Sequence, residues 1–118
     1  MTYQNQDTPK GPVSVCEFGE NEAISNYSDF FDALMGAPTA TVALEVHWVT
    51  EKFFDLKSGL AGEVLQKVST YRKRLILIGD FSNVESKSLR DFIFESNRTG
   101  QVVFVPSLER GIELLRSQ

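Results

Sequence analysis

The 118-residue sequence predicts an α/β domain, a mainly parallel sheet of four to five strands with helices packed on it, in the order β-α-β-α-β-α-β-α. Three observations carry this. Short apolar or alternating runs recur through the chain, and segments with a helical apolar period separate them, which implies crossover connections and parallel strands. Leu75-Ile76-Leu77-Ile78 is wholly apolar and closes on Gly79-Asp80, the pattern of a strand buried on both faces. Residues Gly59–Lys73 carry the clearest helical stripe in the chain: Leu60, Ala61, Val64, Leu65, Val68 and Tyr71.

In chain order, residues 1–12 (MTYQNQDTPKGP) are polar and carry two prolines, and read as a flexible arm ahead of a single domain over 13–118. Val13–Phe18 alternates as a first strand, with Cys16 as a small half-buried residue in it. Ser28 is placed to cap a short helix over Asp29–Met35, which Gly36 and Pro38 stop. Thr41–Val49 alternates, with Val42, Leu44, Val46 and Trp48 on one face and Ala43, Glu45 and His47 on the other. Two aromatics, Phe53 and Phe54, end an extended segment, and a corner at Asp55-Leu56-Lys57-Ser58-Gly59 opens the long helix.

On that helix Glu63 and Lys67 have the spacing of a favourable pair, and Arg72, Lys73 and Arg74 gather at its C-terminal end, where the helix dipole favours cations. After the 75–78 strand, Ser86 or Ser88 starts a helix through Leu89, Phe92, Ile93 and Ser96, and Ser88 with Asp91 has capping-box spacing. That helix ends at Asn97–Gly100. Val102–Val105 is the next strand, and Ser107 caps a last helix with Leu108, Ile112 and Leu115 on one face. Phe53, Phe54, Phe92, Phe94 and Phe104 read as core. Gly59 and Gly62 read as allowing a tight corner and a close approach of helix to sheet.

Composition bounds the function. Apolar residues make up 42% and charged residues 24%, the balance of a globular domain. The formal net charge of −4 gives no basic footprint for nucleic acid and no polybasic membrane patch. No apolar run is long enough to span a membrane and no leader opens the chain, so a cytoplasmic protein is expected. Lone Cys16 and lone His47 have nothing in the sequence to bring them together. No metal-ligand spacing, dinucleotide loop or phosphate loop of the GK[ST] type is present, so neither a metal nor a cofactor is expected, and no catalytic residue is assigned.

Ligands of parallel sheets sit beyond the carboxyl ends of the strands, where helix N-termini also lie. That edge collects three corners, of which Pro106-Ser107 is one and the other two are rich in polar groups. The first supplies Asp55, Lys57, Ser58 and Gly59, followed on the helix face by Glu63, Gln66 and Lys67; the second supplies Asp80 and Ser82, with Arg90 one turn into the next helix. Such a patch can hold a phosphate, a phosphorylated side chain or a partner's backbone. Ser and Asp at these places also serve simply as caps. Glu45 and His47, two apart, share a strand face and could act as acid and base or form a plain surface pair.

The stretches FFDLKSGLAGEVLQK, TYRKRLILIGDFS and SKSLRDFIFESNRTGQVVFVPSLERGIELL resemble the small bacterial proteins of the domain-of-unknown-function 4180 family, from about Thr41 to the C-terminus. That resemblance brings no catalytic residues. A more distant one is to STAS domains of the anti-sigma-factor-antagonist type. These place a turn with Asp and Ser before Gly-Leu and a helix, and Asp55, Ser58, Gly59 and Leu60 stand in that order here. The STAS resemblance implies docking to a protein partner at this corner and phosphorylation of a serine in it, which falls on Ser58. The chain departs by one residue, with Asp55-Leu56-Lys57-Ser58-Gly59 where the family has Asp-Ser-Ser-Gly.

Taken together, these readings favour a non-enzymatic interaction module docking through Asp55–Gly59 and the following helix. The alternatives are a small-ligand or phosphate-binding protein, or enzyme, using Lys57, Ser58, Asp80, Ser82 and Arg90, and a homo-oligomeric scaffold joined through Trp48 or Phe30 and Phe31.

Overall fold

The computed structural model describes residues 1–117. Its elements are β1 (Thr2–Gln6), β2 (Val13–Glu17), α1 (Tyr27–Gly36), β3 (Thr41–Glu45), α2 (Leu60–Thr70), β4 (Arg74–Ile78), α3 (Lys87–Thr99), β5 (Val102–Val105) and α4 (Leu108–Leu114). The five strands form one sheet in sequential order; β1 pairs antiparallel with β2 and the other three pairings are parallel.

Because each right-handed crossover steps to the next strand in the same direction, α1, α2 and α3 fall on one face. There Phe30, Ala33, Leu34, Ala61, Val64, Val68 and Ile93 pack on Val42, Leu44, Leu75, Leu77, Val102 and Phe104. The opposite face, Val13, Ala43, Ile76, Val103 and Val105, is covered by α4 and Leu115. Gly111 lets α4 lie close, since a β-carbon there would stand 2.5 Å from Ile76 Cγ2.

Several local expectations change. Thr2–Gln6, expected as part of a flexible arm, is an edge strand. Its polar sequence hides it from hydropathy; what holds it is the ladder to β2 and Tyr3, whose hydroxyl donates to the Ala33 carbonyl at 2.7 Å. Burial pushes the Tyr3 phenol up to about 12. The alternating strand expected to run to Val49 ends at Glu45. Val46–Trp48 turns into a 3₁₀ segment and rises to pair with Ile24, whose N–H bonds the Trp48 carbonyl at 2.7 Å.

Phe53 and Phe54 do not end an extended segment. They lie in a 3₁₀ turn (Glu51–Phe54) capped by Thr50, and Phe53 points into the core. Asn26, not Ser28, caps α1, accepting from Asp29 N–H at 2.9 Å while the Asp29 carboxylate accepts from Ser25 N–H at 2.7 Å. Ser86 caps α3 through Leu89 N–H; Asp91 instead pairs with Lys87. The Glu63–Lys67 pair expected on α2 is absent from the ion pairs formed among the described residues. Phe94, expected in the core, is 70% exposed, and Tyr71 leaves the α2 stripe to lie at the surface against Phe31.

Cys16 is buried on the sheet face that the first three helices cover, and burial pushes its thiol up to about 11. Raising the pKa holds the neutral thiol, so only about one thiol in a thousand is ionised at pH 8. The native chain should therefore resist a chromogenic disulfide reagent at pH 8 and react promptly once unfolded in urea. Fast native reaction would contradict this placement. The sign also fixes the alkaline behaviour: stability from Cys16 is full below its ordinary value of 9.0 and is lost as pH rises toward about 11.

Candidate functional site

The first polar corner is built by a short chain of caps. Asp55 accepts from Lys57 N–H at 3.1 Å and so starts a 3₁₀ turn over Leu56–Ser58. Gly59 then takes φ +78°, a left-handed conformation that a β-carbon disfavours, and swings the chain into α2. The Ser58 hydroxyl donates to the Lys52 carbonyl at 2.7 Å and accepts from Leu60 N–H at 3.3 Å, which satisfies one of the free amides of the first helical turn.

Asp55, Lys57 and Ser58 are all exposed, and Ser58 lines a groove of about 210 Å³ with Tyr27, Lys52, Leu60 and Glu63. Tyr27 and Lys52 come from the start of α1 and the preceding 3₁₀ turn. Neither stands out in the sequence: the docking of α1 beside α2 brings Tyr27 to Ser58, and the bond of the Ser58 hydroxyl to the Lys52 carbonyl folds Lys52 back over six residues. Along α2, Gly62, Glu63 and Gln66 continue the exposed face, whereas Lys67 is half-buried. Gly62 does not serve a close approach to the sheet: no atom lies within 4 Å of the place its β-carbon would take.

The second corner turns inward on itself. Asp80 accepts from both the N–H and the hydroxyl of Ser82, and these two bonds hold its carboxyl below the usual range. Arg90 donates to the Val84 and Glu85 carbonyls at 3.2 and 3.0 Å, closing the loop that precedes α3. The groove lined by Ser58 contains neither Asp80, Ser82 nor Arg90. Glu45 and His47 do meet, at 3.0 Å, with both side chains largely exposed. Among the described residues no three His, Cys, Asp or Glu side chains gather to hold a metal ion, and no helix is long and apolar enough to cross a membrane.

Chemically, then, the α2 corner presents an exposed hydroxyl, two flanking lysines in Lys52 and Lys57, and a smooth helix face starting at Gly62. No curated protein and no solved structure matches the chain. A family model described as a domain of unknown function, DUF4180, matches residues 11–115, which is nearly the whole of the described fold, and the chain belongs to that family.

Proposed function

We propose that this chain is a STAS-like, non-enzymatic interaction module that docks a protein partner through the Asp55–Gly59 corner and the exposed face of α2, with Ser58 as a phosphoacceptor. The observation that carries this reading is Gly62. A glycine inside an exposed helix costs about 1 kcal/mol relative to alanine. Nothing in the fold uses the missing side chain, since the space beyond Gly62 is open. A partner backbone laid against α2 would use it. The element order and sequential sheet support the STAS likeness, as does the Asp-Leu-Lys-Ser-Gly turn ahead of α2.

A phosphate on Ser58 would add about −1.5 to −2 charges at a helix N-terminus, where free amides favour anions, and would change the face offered to the partner. Two measurements test the reading. Gly62→Ala should raise the stability of the free chain by about 1 kcal/mol in urea unfolding. Affinity capture from the source cell should recover a partner with the wild-type chain that Gly62→Gln, Ser58→Asp and Lys67→Glu each lose while remaining folded. Capture that is equal for all four chains would remove the docking surface. A second copy of this chain is the alternative occupant, and light scattering across concentration reads it directly.

A further inference from the structure

At the opposite edge of the sheet, where β3 and β4 begin, the end of α2 and the segment after α4 enclose a cleft of about 680 Å³. Arg72, Lys73, Arg74 and Arg116 line it, with the hydroxyl residues Ser69 and Ser117, and no acidic residue does. We propose that this cleft binds a small molecule bearing two or more phosphate groups. Its volume lies within the range of small-ligand sites, roughly 300–1,000 Å³.

The cleft gathers positive charge that nothing in the fold neutralises. The chain has 16 acidic residues against 12 lysines and arginines, so it has carboxylates to spare. All five ion pairs among the described residues form elsewhere, and none uses these four cations. The C-terminal dipole of α2 offsets only about half a charge. Arg74 is 3% exposed and is held entirely by neutral acceptors: Thr41 Oγ1 at 2.8 Å, the Arg116 carbonyl at 2.8 Å and the Lys10 carbonyl at 2.6 Å. Lys73 donates to the Thr39 carbonyl at 3.1 Å. Burial holds both cations below their ordinary values, and no neighbouring carboxylate offsets it. Arginine forks match phosphate oxygens two at a time, and Arg72, Lys73 and Arg116, with the buried guanidinium of Arg74 behind them, suit a di- or triphosphate better than a single carboxylate.

The backbone also turns an arginine toward the cleft. Arg72 ends α2 at φ +55°, while Lys73 N–H reaches back to the Val68 carbonyl at 2.8 Å. This is the helix-ending position where glycine is usual, because a β-carbon is disfavoured there. An arginine stands in it and presents its side chain to the cleft. The site lies at the far end of α2 from Ser58, so it is independent of the docking corner.

Isothermal titration at low ionic strength with inorganic phosphate, pyrophosphate and tripolyphosphate tests the proposal. One anion per chain should bind, tightening as phosphates are added. Arg72→Gly and Arg116→Gln should each weaken tripolyphosphate binding about tenfold or more, the loss of a charge-assisted hydrogen bond. Lys87→Gln, an exposed cation elsewhere, should leave it unchanged. Arg72→Gly should at the same time raise the thermal midpoint, because glycine suits the left-handed backbone; a merely structural Arg72 would not give that opposition of signs. Absence of binding by all three anions, or an equal loss in the Lys87 variant, overturns the proposal.

Discussion

Phe104→Ala should lower stability by about 3–5 kcal/mol, the range for deleting a buried aromatic ring. Phe104 is 3% exposed on β5, and its ring is where the helical face of the sheet meets the connections at the strand ends. Phe53 at 6.1 Å, Phe54 at 6.4 Å, Phe81 at 5.5 Å and Phe92 at 5.9 Å surround it, several of them edge-on. These four rings come from the 3₁₀ turn before α2, the loop after β4 and α3, so no single element can collapse into the space left behind. Edge-to-face pairs add to the burial itself. The backbone at Phe104 is also tied, since Asn97 accepts from its N–H at 2.7 Å and donates to its carbonyl at 3.1 Å. Equilibrium urea unfolding reads the change as a lower midpoint at unchanged slope. A loss below about 1.5 kcal/mol, the level of a well-tolerated core swap, would mean that the cluster does not pack as described.

Gly100→Ala should cost about 2–5 kcal/mol. Gly100 ends α3 with φ +79°, and a β-carbon there meets two backbone atoms, Leu114 O and Arg116 N, each at 2.8 Å. Left-handed backbone alone costs a non-glycine residue about 1–2 kcal/mol, and forced overpacking about 1–3 kcal/mol more. The clash cannot be relieved by a rotamer change, because both obstacles are main chain and Arg116 N–H also bonds the Gly100 carbonyl at 2.9 Å. Gly59→Ala supplies the control. Its φ is +78° but no atom lies within 4 Å of the added carbon, so only the conformational part should appear, about 1–2 kcal/mol. The difference between the two variants isolates the contact between α3 and the chain after α4. Equal losses would show that this contact is not made.

Much of the fold was legible in the residues. α2, α3, β4 and β5 follow directly from apolar periods that are long or unbroken enough to admit one reading, and Ser107 caps α4 as its position predicts. The helix-to-strand alternation was enough to imply the parallel pairings of β2 through β5. What went unread has particular causes. β1 carries one anchoring aromatic, Tyr3, among polar residues, and is defined by backbone pairing rather than by side-chain pattern. Val46 and Trp48 keep the alternation of a strand, but a 3₁₀ turn closed by Val49 N–H on the Val46 carbonyl, with Trp48 and Thr50 bonded to Ile24, takes them out of the sheet. Phe94 shares α3 with Phe92 and Ile93, but stands on the solvent side of a helix whose inner face they occupy.

The candidate surfaces divide the same way. The α/β class, the α2 corner with Ser58 as its exposed hydroxyl, and the caps that build that corner were already set by residue order, because these depend on neighbours within a few residues. Packing of distant segments set the rest. It set Tyr27 of α1 beside Ser58, whereas the bonds that turn Asp80 and Arg90 onto their own loop span only two to six residues. It also opened the space around Gly62 and gathered residues 69–74 with 116 and 117 into one basic cleft. The physical reason is range. Capping and amphipathic burial act over one or two helical turns, whereas the field inside a cleft sums charges that only packing brings together.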